Sequence, residues 1–126
     1  MKINDPKVIS EVTVAFEAYE AALMGDDLEA MANLFRHAPE TVRYGVGECL
    51  YGYEEIAAFR KGRGGSPQRE PGRVAISSYG DSMATANAEF SREDSPARGR
   101  QSQVWVKFPD GWKVVSAHVS LEKGAT

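Results

Sequence analysis

An arginine in a strand-like run is the first residue in this sequence that invites chemistry. In "ETVRYG", Val42 and Tyr44 fall on one face and Thr41 and Arg43 on the other. If the Arg43 face meets solvent, the residue is an ordinary surface charge. If it meets a cavity, the planar guanidinium fork matches the two oxygens of a carboxylate. Tyr19, in "EVTVAFEAYEAAL", is the second candidate. A phenol is neutral at pH 7 and has an O–H to donate, although a tyrosine on an apolar helix stripe also serves as a core aromatic. Strand parity supplies further polar groups. In "ATANAEFSRE", Asn87 and Glu89 share a face opposite Ala86, Ala88 and Phe90, and in "RQSQVW", Gln101 and Gln103 share a face opposite Ser102 and Val104. These rows either face solvent or a partner, or turn inward, where Glu89 and Gln103 would bond a polar ligand and Asn87 would stand beside them. His118, with Ser120 two residues on in the closing "SAHVSL", is either a satisfied structural histidine or a polar group of a pocket. Cys49 has no evident base beside it and carries no nucleophile assignment.

Composition narrows the function classes. A chain of 126 residues suits one domain, residues 1–126, with a core and a small pocket. With a net charge of −3, and with Arg60, Arg63, Arg69 and Arg73 spread through a Gly/Pro-rich stretch, nucleic acid is not the expected partner. No apolar run approaches the roughly 20 residues of a membrane span, and "MKINDPK" lacks a signal-peptide core. A cytoplasmic protein without membrane contact is expected. One cysteine and two widely separated histidines make neither a disulfide framework nor a metal site, so no metal is expected.

Several elements must position these residues. Asp5 and Pro6 mark the start of a helix running to about Met24, with Val8, Val12, Ala15, Phe16, Tyr19 and Leu23 as its apolar stripe. A second helix is predicted from about Asp27 to Phe35, with Leu28, Met31, Leu34 and Phe35 facing inward, and a third over "GYEEIAAFRKGR", with Ile56, Ala57 and Phe59 inside. "KGRGGSPQREPG" reads as a loop from Lys61 to Gly72. From Gly72 onward, "GRVAISSYG", "SMATANAEFSRE", "GRQSQVWVKF" and "GWKVVSAHVSL" read as strands of a strongly curved antiparallel sheet. Helices first and a bent sheet after make an α+β chain, with the helices packed on one sheet face around an interior.

That order of elements, with the ending "QVWVKFPDGWKVVSAHVS", resembles the cone-shaped nuclear-transport-factor-2-like (NTF2-like) fold and its SnoaL-like branch. More narrowly, "INDPKVISEVTVAFEAYEAAL", "ETVRYG", "LYGYEEIAAFR", "ATANAEF" and "GRQSQVW" resemble the small AtzH/HpxZ-type proteins of cyanuric acid and oxalurate catabolism. The resemblance implies a decarboxylase converting 1,3-dicarboxyurea to allophanate. It also implies an essential tyrosine on the first helix and arginine on the first strand, which fall here on Tyr19 and Arg43.

The chemistry of such a reaction is compatible with those residue types. Loss of carbon dioxide from a urea nitrogen leaves an electron pair on that nitrogen, so a proton must arrive as the bond breaks. Arg43 would clamp a carboxylate and Tyr19 would supply or relay the proton, with no cofactor required. A small carboxylated urea is then the expected partner. Two other readings stand beside this one: a non-catalytic carboxylate-binding or assembly module on the same cone, and a SnoaL-type cyclase, for which Asp94 and Asp110 sit in apparent turns rather than in a cavity. A homodimer is expected through an outer sheet face carrying Val104, Val106, Val115 and Val119.

Overall fold

Asp5 starts the first helix as its sequence requires. Its carboxylate accepts the Lys7 backbone N–H at 3.0 Å and Pro6 follows where no donor is needed, so α1 runs Pro6–Met24. The computed structural model describes residues 1–123. Asp27 caps α2 by accepting the Ala30 N–H at 3.0 Å, but this helix spans only Leu28–Asn33. Met31 is its one buried residue, and Leu28, expected inside, stays exposed at the first position. A hairpin of β1 (Val42–Tyr44) and β2 (Cys49–Tyr51) then leads into α3 (Tyr53–Arg63). Four long strands follow: β3 (Arg69–Tyr79), β4 (Met83–Arg92), β5 (Arg98–Phe108) and β6 (Gly111–Leu121). The loop before β3 is shorter than its composition predicts, and Arg69 lies in the strand.

The six strands form one curved sheet in the order β2-β1-β6-β5-β4-β3. The four long strands pair antiparallel, as expected, and β1 pairs antiparallel with β2 and parallel with β6. The strand carrying Arg43 thus lies beside the last strand of the chain, with Arg43 opposite Ala117. Helix α1 lies across β3, β4 and β6. It approaches closely because β4 offers an inner row of Ala84, Ala86 and Ala88, each buried. The core between helices and sheet gathers Val12, Phe16, Met31, Phe35, Ile56, Trp105 and Val114. Burying a side chain of this size contributes about 1.5–3 kcal/mol.

A bulge in β6 decides what faces the interior. Val104 pairs with Ser116 and Trp105 with Val114, leaving Val115 as an extra residue. Before it Trp112 and Val114 are buried; after it the inward set becomes Ala117, Val119 and Leu121. Val119, expected on the outer face, therefore lines the interior, while Val104, Val106 and Val115 remain half-buried. No helix among the described residues is long and apolar enough to cross a membrane.

Candidate functional site

The helices and the curved sheet leave a cavity of about 580 Å³, within the usual range for a small-molecule site. Tyr19 reaches it from α1, Arg43 from β1, Arg63 from the end of α3, Ser66 from the following loop, Arg69 from β3 and Gln101 from β5. Leu23, Phe59, Phe90, Val119 and Leu121 supply its apolar wall. Gly64 and Gly65, with φ of 74° and 114°, adopt the left-handed backbone that turns the α3–β3 loop back along the cavity.

Arg43 faces inward and is 8% exposed. Its Nη1 donates to Glu48 Oε1 at 2.9 Å, and its guanidinium carbon lies 5.8 Å from the Phe59 ring centre. The hairpin permits this pairing because residue 45 is glycine, where a Cβ would overlap the Glu48 carboxylate. Tyr19 is 3% exposed, and its hydroxyl accepts an N–H from Arg60 Nη2 at 3.3 Å. With one lone pair occupied by a cation, the Tyr19 O–H remains available to donate.

Arg60 is 5% exposed and stacks 4.2 Å from the Phe35 ring centre, with no carboxylate partner among the described residues. Burial first, with the neighbouring Arg43 cation, pushes its pKa below the usual guanidinium value, while Tyr19 and Tyr53 oppose that push. Arg63 is held low by burial first and then by neighbouring Arg43 and Arg60. Its Nε and the Ser66 Oγ are buried without a hydrogen-bond partner. Arg69, by contrast, is held by a carboxylate. It donates to both Glu20 oxygens, at 2.5 and 3.3 Å, and to Gln101 Oε1 at 3.1 Å.

Five residues expected in the pocket lie elsewhere, four on the outer face and Gln103 in the core. Ala88 pairs with Gln101 and Ala86 with Gln103, and directly opposed residues share a face, so the inner row of β4 is its alanines. Asn87 and Glu89 consequently face outward, where Asn87 Oδ1 accepts the Ser102 hydroxyl at 2.7 Å and Glu89 meets Arg98 at 3.4 Å. The bulge at Val115 turns His118 and Ser120 to the same outer face, and His118 packs edge-on against Tyr44. Gln103 does face inward, but its carbonyl oxygen accepts the Trp105 indole N–H at 3.1 Å and it lies outside the cavity wall. Gln101 is the glutamine that lines it.

The cationic lining is what the sequence analysis missed. A signal was present: Ile56, Phe59, Arg60 and Arg63 follow the i, i+3, i+4, i+7 spacing of an inward helix stripe. The expected inner face of this helix held only Ile56, Ala57 and Phe59, with Arg60 and Arg63 counted among arginines spread through the Gly/Pro-rich stretch. Of the two histidines, His37 is a satisfied structural residue, stacked on Tyr53 at 3.8 Å with Nε2 2.7 Å from the Ala32 carbonyl. Among the described residues no group of three His, Cys, Asp or Glu is arranged to hold a metal ion. The arrangement is a partly apolar cavity lined by several arginines, with the Tyr19 hydroxyl at its wall.

Solved structures place this geometry among known folds. The chain is 48% identical to a protein with unknown function of the DUF3225 family from Pectobacterium atrosepticum, with a TM-score of 0.93 over 96% of this chain and 95% of that one. It is 44% identical to a cystatin-like fold protein from Burkholderia xenovorans, with a TM-score of 0.93 over 96% of each chain. A nuclear transport factor 2 (NTF2-like) superfamily protein from Salmonella enterica matches at 27% identity and a TM-score of 0.77, over 96% of this chain and 95% of that one. Nothing matches among curated proteins. The fold is therefore NTF2-like, with helices on a curved six-stranded sheet. The AtzH-like family model matches residues 1–124, and with Tyr19 and Arg43 brought to one cavity the chain belongs to the AtzH-like family.

Proposed function

We propose that this protein is a cofactor-independent decarboxylase of a small N-carboxylated urea, converting 1,3-dicarboxyurea to allophanate. The observation that carries the reading is the cavity shared by Arg43 and Tyr19, with Arg60 donating to the Tyr19 hydroxyl. Arg43 orients the substrate through one carboxylate. The bond between a terminal carboxylate carbon and its urea nitrogen breaks, carbon dioxide leaves neutral, and the electron pair stays on nitrogen. Tyr19 gives its proton to that nitrogen, the resulting phenolate lies against the Arg60 cation, and solvent restores the proton. Proton transfer of this kind contributes about 10²–10⁴-fold, and placement by Arg43 adds to it.

The test is carbon dioxide release from freshly generated 1,3-dicarboxyurea, compared with oxalurate and allophanate. Release from dicarboxyurea well above its spontaneous rate supports the reading. Tight binding of the substrate with no acceleration refutes it and leaves a carboxylate-binding module. We further propose a cytoplasmic homodimer through the outer sheet face of Val104, Val106 and Val115. Light scattering that shows only a 13.8 kDa species at micromolar concentration would overturn the dimer.

A further inference from the structure

Resting on the reading above, we infer that Arg63 and Ser66 form a second carboxylate seat in the cavity, distinct from Arg43, so that the site selects small dianions over monoanions. Five arginines lie in or beside the cavity. Three of them meet carboxylates: Arg43 with Glu48, Arg69 with Glu20, and Arg92 with Asp94. Arg60 and Arg63 meet none among the described residues, so two positive charges remain uncompensated. Arg60 lies beneath Tyr19 and does not line the cavity, whereas Arg63 does.

Arg63 brings a buried Nε without a partner, and Ser66, three residues on in the same wall, brings a buried Oγ in the same condition. Unpaired buried donors are costly and are uncommon in native proteins. A carboxylate oxygen accepts from both types of group, and a guanidinium Nε is one of the donors of the bidentate fork. Arg43 cannot serve both ends of a dianion, because its Nη1 is already committed to Glu48. The two guanidiniums flank one ring, with carbons 5.8 Å and 5.3 Å from the Phe59 centre. An apolar divider between two cationic seats suits a short chain with a carboxylate at each end. Loss of carbon dioxide leaves a monoanion that fills only one seat, which favours product release.

The test is calorimetric titration of the full chain with glutarate and with pentanoate. Glutarate separates its carboxylates by the same number of atoms as 1,3-dicarboxyurea and does not react, and pentanoate is the matching monoanion. Wild type is expected to prefer glutarate on the order of 10- to 100-fold, the worth of a charged hydrogen-bonded contact. Arg63→Gln should erase that preference while leaving pentanoate affinity within about twofold, and Ser66→Ala should reduce it in part. Equal binding of the two acids by wild type overturns the seat, as does an undiminished preference in folded Arg63→Gln. If Arg63→Gln does not fold, Arg63→Lys replaces it, since lysine lacks the Nε donor, and an undiminished preference there is equally fatal. A glutarate preference without dicarboxyurea turnover would keep the seat and reject the decarboxylase. Turnover without the preference would do the reverse.

Discussion

Replacing Arg60 with methionine should make the protein more stable and a poorer catalyst. The guanidinium is 5% exposed and has no carboxylate partner among the described residues. Its compensation is one hydrogen bond to the Tyr19 hydroxyl at 3.3 Å and a stacking contact at 4.2 Å from the Phe35 centre. The first is worth about 1 kcal/mol and the second about 2 kcal/mol when desolvated. Against these stands an effective desolvation cost of several kcal/mol for a buried ion. Methionine retains the unbranched apolar stem and fills most of the volume. The balance favours Arg60→Met by about 1–2 kcal/mol, a rise in melting temperature of roughly 3–8 °C. Turnover of dicarboxyurea should meanwhile fall by about 10- to 100-fold, because the Tyr19 phenolate loses its adjacent cation. Thermal unfolding and carbon dioxide release measured on the same preparation decide the matter. A variant that melts lower by 10 °C would show that Arg60 is a net stabiliser, and unchanged turnover would remove it from the chemistry of Tyr19.

Other perturbations test the same site from different sides. Arg43→Lys should lose nearly as much activity as Arg43→Ala, because lysine keeps the charge without the fork; recovery of most activity in Arg43→Lys would argue for a purely Coulombic role. Tyr19→Phe should keep glutarate affinity and the melting temperature within small changes while kcat drops by about 10²-fold or more, and near-wild-type kcat would eliminate the hydroxyl as proton donor. Glu48→Gln preserves an acceptor for Arg43 while removing a negative charge from the cavity, so glutarate should bind about 3- to 10-fold tighter at low salt, an increase that titration would detect and that added salt should shrink. Outside the site, the Trp112 indole N–H, followed by Lys107, holds the Glu11 carboxyl below its usual pKa. A carboxyl depressed by folding contributes stability that is complete at neutral pH and is lost as the pH falls through its folded value. Glu11→Gln should therefore flatten the acid side of a stability profile measured by denaturant midpoints, and an unchanged slope would discount these bonds.

Much of the fold was legible because it rests on local rules. The Asp5–Pro6 start and the three- and four-residue recurrence from Val8 to Leu23 specify α1 without reference to anything distant. Arg43 could be assigned to a strand, although whether its face was inner or outer depended on a partner strand more than 70 residues away, Ala117 on β6. The β4 reading failed for a related reason. Alanine and asparagine rows look equally suited to a solvent face, and only the cross-strand register with Gln101 and Gln103 shows that α1 needs the alanines. The bulge at Val115 left no compositional trace, since valine is as ordinary in a bulge as in a regular strand. One inserted residue accounts for the placements of His118, Ser120 and Val119 together.

That inserted residue gives the lining a combinatorial property. The inner face of β6 beyond the bulge is Ala117 in the core and Val119 and Leu121 in the cavity wall, and the residues interleaved with them are Ser116, His118 and Ser120. Both sets occupy one backbone, and whether Val104 pairs with Ser116, across the bulge, or with Val115, in an unbroken ladder, chooses which set is displayed. With Val115 drawn into an unbroken ladder instead of bulged out, the same strand would turn an imidazole and two hydroxyls to the inner face, adding a titratable base to the lining. Loss of Val115 alone would keep the present lining, whereas a codon lost or gained after the bulge would exchange the two sets beyond it while every helix stays in place. Divergence of chemistry on this scaffold can proceed by length changes in one strand, in steps that substitution by substitution would require several mutations to reach.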